Sequence, residues 1–310
     1  MGKSIKAFAP ATVANVGCGF DVLGFAVESP GDEVEITLND SGKIEIVSIE
    51  GDGGLLPLDV EKNTVSLVIR EYLNELKSNQ GVAIKLTKKM PLKSGLGSSA
   101  ASSVVGVWAL NQLLGSPMKD IDLLKFAMEG ERLACGSAHA DNVGPALLGG
   151  FLLVRSYDPL DVIQLPTPSK LWATIIHPHI EVKTKDARNI LRKEIPLSKA
   201  VEQSGNLAGF MHGLMTEDYD LLGRSLKDVI VEPIRSILIP GFYDVKNAAI
   251  EQGALGCSIS GSGPSIFALS DSEDKANAIA KAMTEVYNGL NIESEVFVSK
   301  VNQVGPRIIE

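Results

Sequence analysis

The run Pro91-Leu92-Lys93-Ser94-Gly95-Leu96-Gly97-Ser98-Ser99-Ala100-Ala101 is where residue type and spacing point most directly to chemistry. Gly95 and Gly97 let the backbone approach a ligand closely or take a positive φ. A helix beginning near Ser98 would aim its unpaired N–H groups into the same space. Donors gathered at the positive end of a helix suit an anion, and polyphosphate above all. No Gly-Lys-Ser/Thr follows, so this is not a Walker A loop. It is not a Gly-x-Ser-x-Gly nucleophile elbow either. Taken alone, the small residues could equally serve tight packing of helix on strand. Two other groups carry less. His177 and His179 share one side of a strand but have no third metal ligand nearby, and Cys135 lacks a base partner, so it reads as an inert thiol.

The elements that must hold this run can be traced from periodicity. Alternation marks strands at Val34, Ile36 and Leu38 and at Val82, Ile84 and Leu86. Asn63 can cap a helix whose apolar stripe is Val65, Val68, Ile69, Tyr72, Leu73 and Leu76. The glycine-serine run feeds a buried helix over Ala100–Leu114, and a second helix covers Ile121–Leu133. Phe151–Val154 reads as a buried strand. Pro166 and Pro168 mark a domain boundary. Beyond them come a strand at Trp172–Ile176, several helices between 186 and 252, and a glycine loop at 261–263. That loop leads into a strand at Ser265–Leu269. A helix bearing Ala276, Ile279, Ala280, Met283 and Tyr287 follows, then a strand at Glu295–Lys300. The order is α+β without regular alternation, in two sandwich-like domains, 1–165 and 166–310.

Composition narrows the setting. The chain has 310 residues, 45% hydrophobic and 22% charged, the mix of a folded globular protein. Its 29 basic and 38 acidic residues give a net charge of −9, with no basic block to grip nucleic acid. The longest apolar stretch, Gly144 to Val154, is well short of the about 20 residues a membrane span needs. No secretory leader is read at the start. Cys18, Cys135 and Cys257 lie far apart, as reduced thiols do. A soluble cytoplasmic protein is expected.

Three segments together resemble the GHMP kinases. Pro91 to Ala101 looks like the family's second motif, Ala11 to Asp21 like its first, and Gly256 to Ser265 like its third, in the family's order across nearly the whole chain. Within the family, the segments 15–24, His139 to Ala146 and Thr184 to Arg188 are most similar to the branch that phosphorylates homoserine. Cys18 stands where that first motif usually carries proline, which removes no functional group. The resemblance implies an N-terminal domain like ribosomal protein S5, a C-terminal ferredoxin-like α/β sandwich, and a site between them using ATP and Mg²⁺. It allows a homodimer.

It also implies roles. Pro91 to Ala101 and Asn63 would bind the nucleotide, with Asn63 at the adenine edge. Glu131 and Ser99 would hold the metal, Ser98 competing with Ser99. Homoserine carries a carboxylate, an ammonium and a primary hydroxyl. The resemblance assigns Arg188 and Arg235 to the carboxylate, Asp21 and Asn15 to the ammonium, and His139, Thr184 and Gly263 to the same pocket. Asn142 would sit near the reacting atoms, and an amide is no base. A loose transition state needs little early proton abstraction, so the expectation is catalysis by positioning, with Asp141 structural. The product would be O-phosphohomoserine, an intermediate of threonine biosynthesis. The rival readings are a mevalonate- or shikimate-type kinase, whose substrate leaves Asp21 no ammonium to serve, and a non-catalytic metabolite sensor.

Overall fold

The computed structural model describes residues 2–309, apart from the side chain of Cys135. The first sheet is built from β1 (Ser4–Ala14), β2 (Leu23–Asn39), β3 (Ile44–Glu50), β4 (Gly81–Thr87), β5 (Phe151–Tyr157) and β6 (Leu160–Leu165). Helices α1 (Thr64–Glu75), α2 (Ser98–Leu113), α3 (Asp120–Cys135) and α4 (Ala140–Leu148) fall between β3 and β5 in the chain. The long β2 pairs with β1 and β4, and its first residues also pair with β5. In β4, Val82, Ile84 and Leu86 all turn to the core, as their alternation predicts. Helix α2 is buried from Ala100 to Asn111, because α1, α3, α4 and the sheet surround it. Asn63 caps α1 as expected, its Oδ1 accepting the Val65 N–H at 3.1 Å.

The second sheet is antiparallel, in the order β10 (Ser294–Lys300), β7 (Trp172–Pro178), β9 (Ile266–Ser270), β8 (Gly256–Ile259). The same half of the chain holds α5 (Thr184–Asn189), α6 (Leu197–Thr216), α7 (Tyr219–Ser225), the single turn α8 (Glu232–Arg235), α9 (Phe242–Glu251) and α10 (Glu273–Gly289), of which α9 and α10 pack on this sheet. All five residues named on the α10 stripe are buried. The two halves share a core: Phe25 touches Phe151 at 4.8 Å and Phe267 at 5.8 Å between ring centres. The last strand, β11 (Arg307–Ile308), returns to pair with β1, so the tail of the chain completes the first sheet. Among the described residues, no helix is long and apolar enough to cross a membrane.

Several elements escape the periodicity reading, β3, β6, β8 and β11 among them. β1 is buried on both faces from Ala7 onward, so it shows no alternation. The apolar stretch 144–154 is not one element: Gly149 and Gly150, at φ +74° and +67°, turn the end of α4 into β5. Helix α4 itself carries Pro145 in its interior, which hides it from a propensity reading.

Candidate active site

A cleft of about 960 Å³ opens where the two halves meet. The phosphate-loop candidate forms one wall. Gly95 and Gly97 take φ +82° and +66°, and α2 starts at Ser98 with no side-chain cap on its first turn. The loop is held from behind by both halves. Thr12 N–H donates to Leu96 O at 3.0 Å, Ser260 Oγ to Gly95 O at 2.7 Å, and Ser265 N–H to Ser94 O at 3.2 Å. A Cβ at Gly95 would come within 2.5 Å of the Ser260 carbonyl, and one at Gly97 would collide with Thr12 Oγ1. Leu92, Lys93, Ser94, Gly95, Gly97, Ser98 and Ser99 line the cleft, whereas Pro91, Leu96, Ala100 and Ala101 do not. The Ser94 hydroxyl is buried and unpartnered in the protein, which suits an anion accepting from it.

Two carboxylates approach α2 from different sides. Ser99 Oγ lies 2.9 and 3.0 Å from the two oxygens of Glu131, which is only 3% exposed. That hydroxyl and carboxylate form an all-oxygen pair of the type Mg²⁺ takes. Ser98 faces elsewhere. Its Oγ is 3.4 Å from Asp32, which pairs with Lys88 in a fully buried ion pair. Lys88 Nζ also donates to Ser98 O at 2.9 Å and to Ser102 Oγ at 2.7 Å. Burial pulls the Lys88 ammonium below its ordinary pKa, and Asp32 opposes that shift.

The far end of the cleft gathers opposite charges. Arg188 donates to both oxygens of Asp21, at 2.9 and 3.0 Å. Arg235 is 4% exposed, with Nε on Ala187 O and Nη1 on Gly261 O at 3.1 and 3.0 Å. Burial brings the Arg235 guanidinium down to about 10, with Asp21 raising it and Arg188 lowering it, so it stays charged at neutral pH. Both arginines stack on Phe20, 5.8 and 5.2 Å from the ring centre. Thr184 Oγ1 meets Ser262 Oγ at 3.3 Å. Burial pulls the His139 imidazole below its ordinary pKa, with Asp21 opposing the shift. Asn142 Oδ1 accepts from Thr12 Oγ1 at 3.4 Å, beside the phosphate loop.

Asn15 lines the cleft, and its amide is braced by the protein, one N–H donating to Gly261 O at 2.7 Å and Oδ1 accepting the Asp21 N–H at 3.0 Å. Asn63 likewise donates to Pro57 O at 2.9 Å while capping α1. Gly263 does not line the cleft; its carbonyl backs Gly95. His177, brought to about 4 mainly by burial, faces Ser265 Oγ, and His179 faces Glu293. Neither joins a metal cluster among the described residues. Asp141, expected to be structural, lines the cleft with its Oδ1 buried and lacking a hydrogen bond, 4.0 Å from His139 Nδ1. Burial, reinforced by Asp21, pushes it up to about 7.

Residues 63–150 match the family described as GHMP kinases N terminal domain, and residues 210–289 match GHMP kinases C terminal. A homoserine kinase of Chloroherpeton thalassium is 53% identical over 99% of this chain and all of its own. The chain belongs to the GHMP kinases. A crystal structure of homoserine kinase from Cytophaga hutchinsonii superposes with a TM-score of 0.97 at 66% identity, covering 100% of this chain and 98% of the other. The mevalonate kinase of L. major, at 17% identity and a TM-score of 0.74, covering 97% of this chain and 99% of its own, shares the two-domain fold. As a member of this family the protein is an ATP-dependent kinase. The family motifs name Asp21, Arg188 and the phosphate loop. They do not announce Phe20 as the platform for two arginines, nor the Lys88–Asp32 pair beneath α2.

Proposed function

We propose that this kinase transfers the γ-phosphate of ATP to the side-chain hydroxyl of L-homoserine. One observation carries the reading. The cleft ends in an anionic Asp21 beside two guanidinium groups, the charge pattern that an amino-acid head complements. Its other end is the phosphate loop with Ser99 and Glu131. A substrate lying between would present its hydroxyl toward Asn142, with its carboxylate at Arg188 and Arg235 and its ammonium at Asp21. The relatives named homoserine kinase support the same substrate. Ser99 and Glu131 would hold Mg²⁺, which when bound neutralises phosphate charge. The loop's backbone and the α2 N-terminus fix the phosphates, and Asn142 orients the acceptor.

Purified protein with Mg-ATP should release ADP on L-homoserine and not on mevalonate, shikimate, galactose or L-threonine. Turnover on a substrate lacking the amino group would refute the homoserine assignment while leaving the family intact.

Asp141 tests the positioning mechanism. If proton removal is late in a loose transition state, Asp141→Asn keeps kcat within about tenfold. A loss on the order of a thousandfold with both substrates still bound would make Asp141 the proton acceptor. The same variant has a stability signature. The folded carboxyl holds its proton up to about 7, far above its ordinary 3.8, so the folded state binds the extra proton. Stability attributable to this group is therefore full below pH 4 and lost as pH rises to 7. Asp141→Asn should unfold at a higher temperature than wild type at pH 8, and the two should converge near pH 4.

A further inference from the structure

The two sides of the amino-acid subsite come from distant parts of the chain: the loop 15–21 after β1, and the single turn α8. Their separation decides whether one small zwitterion can reach both Asp21 and Arg235. Inside the cleft, Gly261 O ties them by accepting from Asn15 Nδ2 and Arg235 Nη1. Outside it, on α6, stands Gln203, which does not line the cleft. Its Nε2 donates to Cys18 O at 3.0 Å and to Asp228 Oδ1 at 3.3 Å, and its Oε1 accepts the Val229 N–H at 3.0 Å. Asp228 in turn accepts the N–H groups of Ile230, Val231 and Glu232, at 2.9, 2.8 and 2.9 Å, which fixes the start of α8.

We propose that Gln203 is a positioning residue for the amino-acid substrate, holding the Asp21 loop and the Arg235 turn at the spacing of one α-amino acid head. The proposal rests on the homoserine reading above. An amide suits this place because it donates to a carbonyl and a carboxylate while accepting an N–H. A carboxylate could not donate, and an apolar side chain would do neither.

Gln203→Met keeps much of the bulk and removes all three bonds. Gln203→Glu keeps the acceptor but sets a negative charge against Cys18 O and Asp228. The expected result is a KM for L-homoserine raised tenfold or more in both, further in Gln203→Glu. The KM for ATP, its Kd by calorimetry and kcat at saturation should stay within threefold of wild type. An unchanged homoserine KM in folded variants would overturn the positioning role alone. Parallel loss of homoserine and ATP affinity, or insolubility of both variants, would mark Gln203 as a residue of the general fold and overturn it too. Wild-type protein assayed alongside separates the two readings: no turnover of homoserine there would refute the substrate, and the proposal with it.

Discussion

Lys88→Met is expected to destabilise the folded protein by about 3–5 kcal/mol, the cost of leaving a buried charge without its partner. Asp32 and Lys88 are both fully enclosed, and their pairing also satisfies Ser98 O and Ser102 Oγ. Without the ammonium, Asp32 keeps the Lys89 N–H at 3.0 Å and two weak hydroxyl contacts, too little to replace water around a carboxylate. Urea unfolding measures the loss. The double variant Asp32→Asn, Lys88→Met should recover most of it, because removing both charges removes the penalty. The first turn of α2 rests on this pair, so the single variant should also raise the KM for ATP. A Lys88→Met protein within about 1 kcal/mol of wild type, the worth of an exposed pair, would mean that the pair contributes no more than a surface one.

This pair also shows how far the sequence could be read. The alternation Val82, Ile84, Leu86 continues inward to Lys88, and Val34 and Ile36 extend back to Asp32 on the neighbouring strand. Two charges on inward positions of paired strands are legible as a puzzle. Their solution needs the tertiary register that sets them face to face. The phosphate loop was readable through its motif, and the structure supplies the reason for its glycines: at Gly95 and Gly97 φ is positive and protein atoms crowd the Cβ position. Asn15 shows the opposite case. Its type suggests a ligand contact, but that its amide also braces Gly261 O and the Asp21 N–H is something only coordinates reveal. Phe20, Gln203 and the buried Asp141 owe their roles to neighbours far away in the chain, and no spacing rule records those. The buried β1 and the proline-bearing α4 were hidden because burial on both faces erases periodicity and Pro145 masks propensity.

Glu131→Gln should remove most of the catalysis while leaving the fold intact. The amide has the shape of the carboxylate and can still accept from Ser99 Oγ, so the contact that places residue 131 beside α2 survives. What disappears is one negative charge, at the position where an oxygen pair would hold Mg²⁺. A metal at developing phosphate charge is worth several kcal/mol of transition-state stabilisation. At about 1.4 kcal/mol per tenfold, kcat should fall about a thousandfold. The concentration of Mg²⁺ needed for half-maximal rate should rise, because a neutral oxygen holds a hard cation less firmly. The homoserine KM should change little, since Asp21, Arg188 and Arg235 lie at the other end of the cleft. Steady-state assays across a Mg²⁺ titration, with thermal unfolding as the control for folding, distinguish the outcomes. A variant that keeps wild-type kcat and the same Mg²⁺ requirement would remove Glu131 from the metal site and leave the carboxylate a purely structural partner of Ser99.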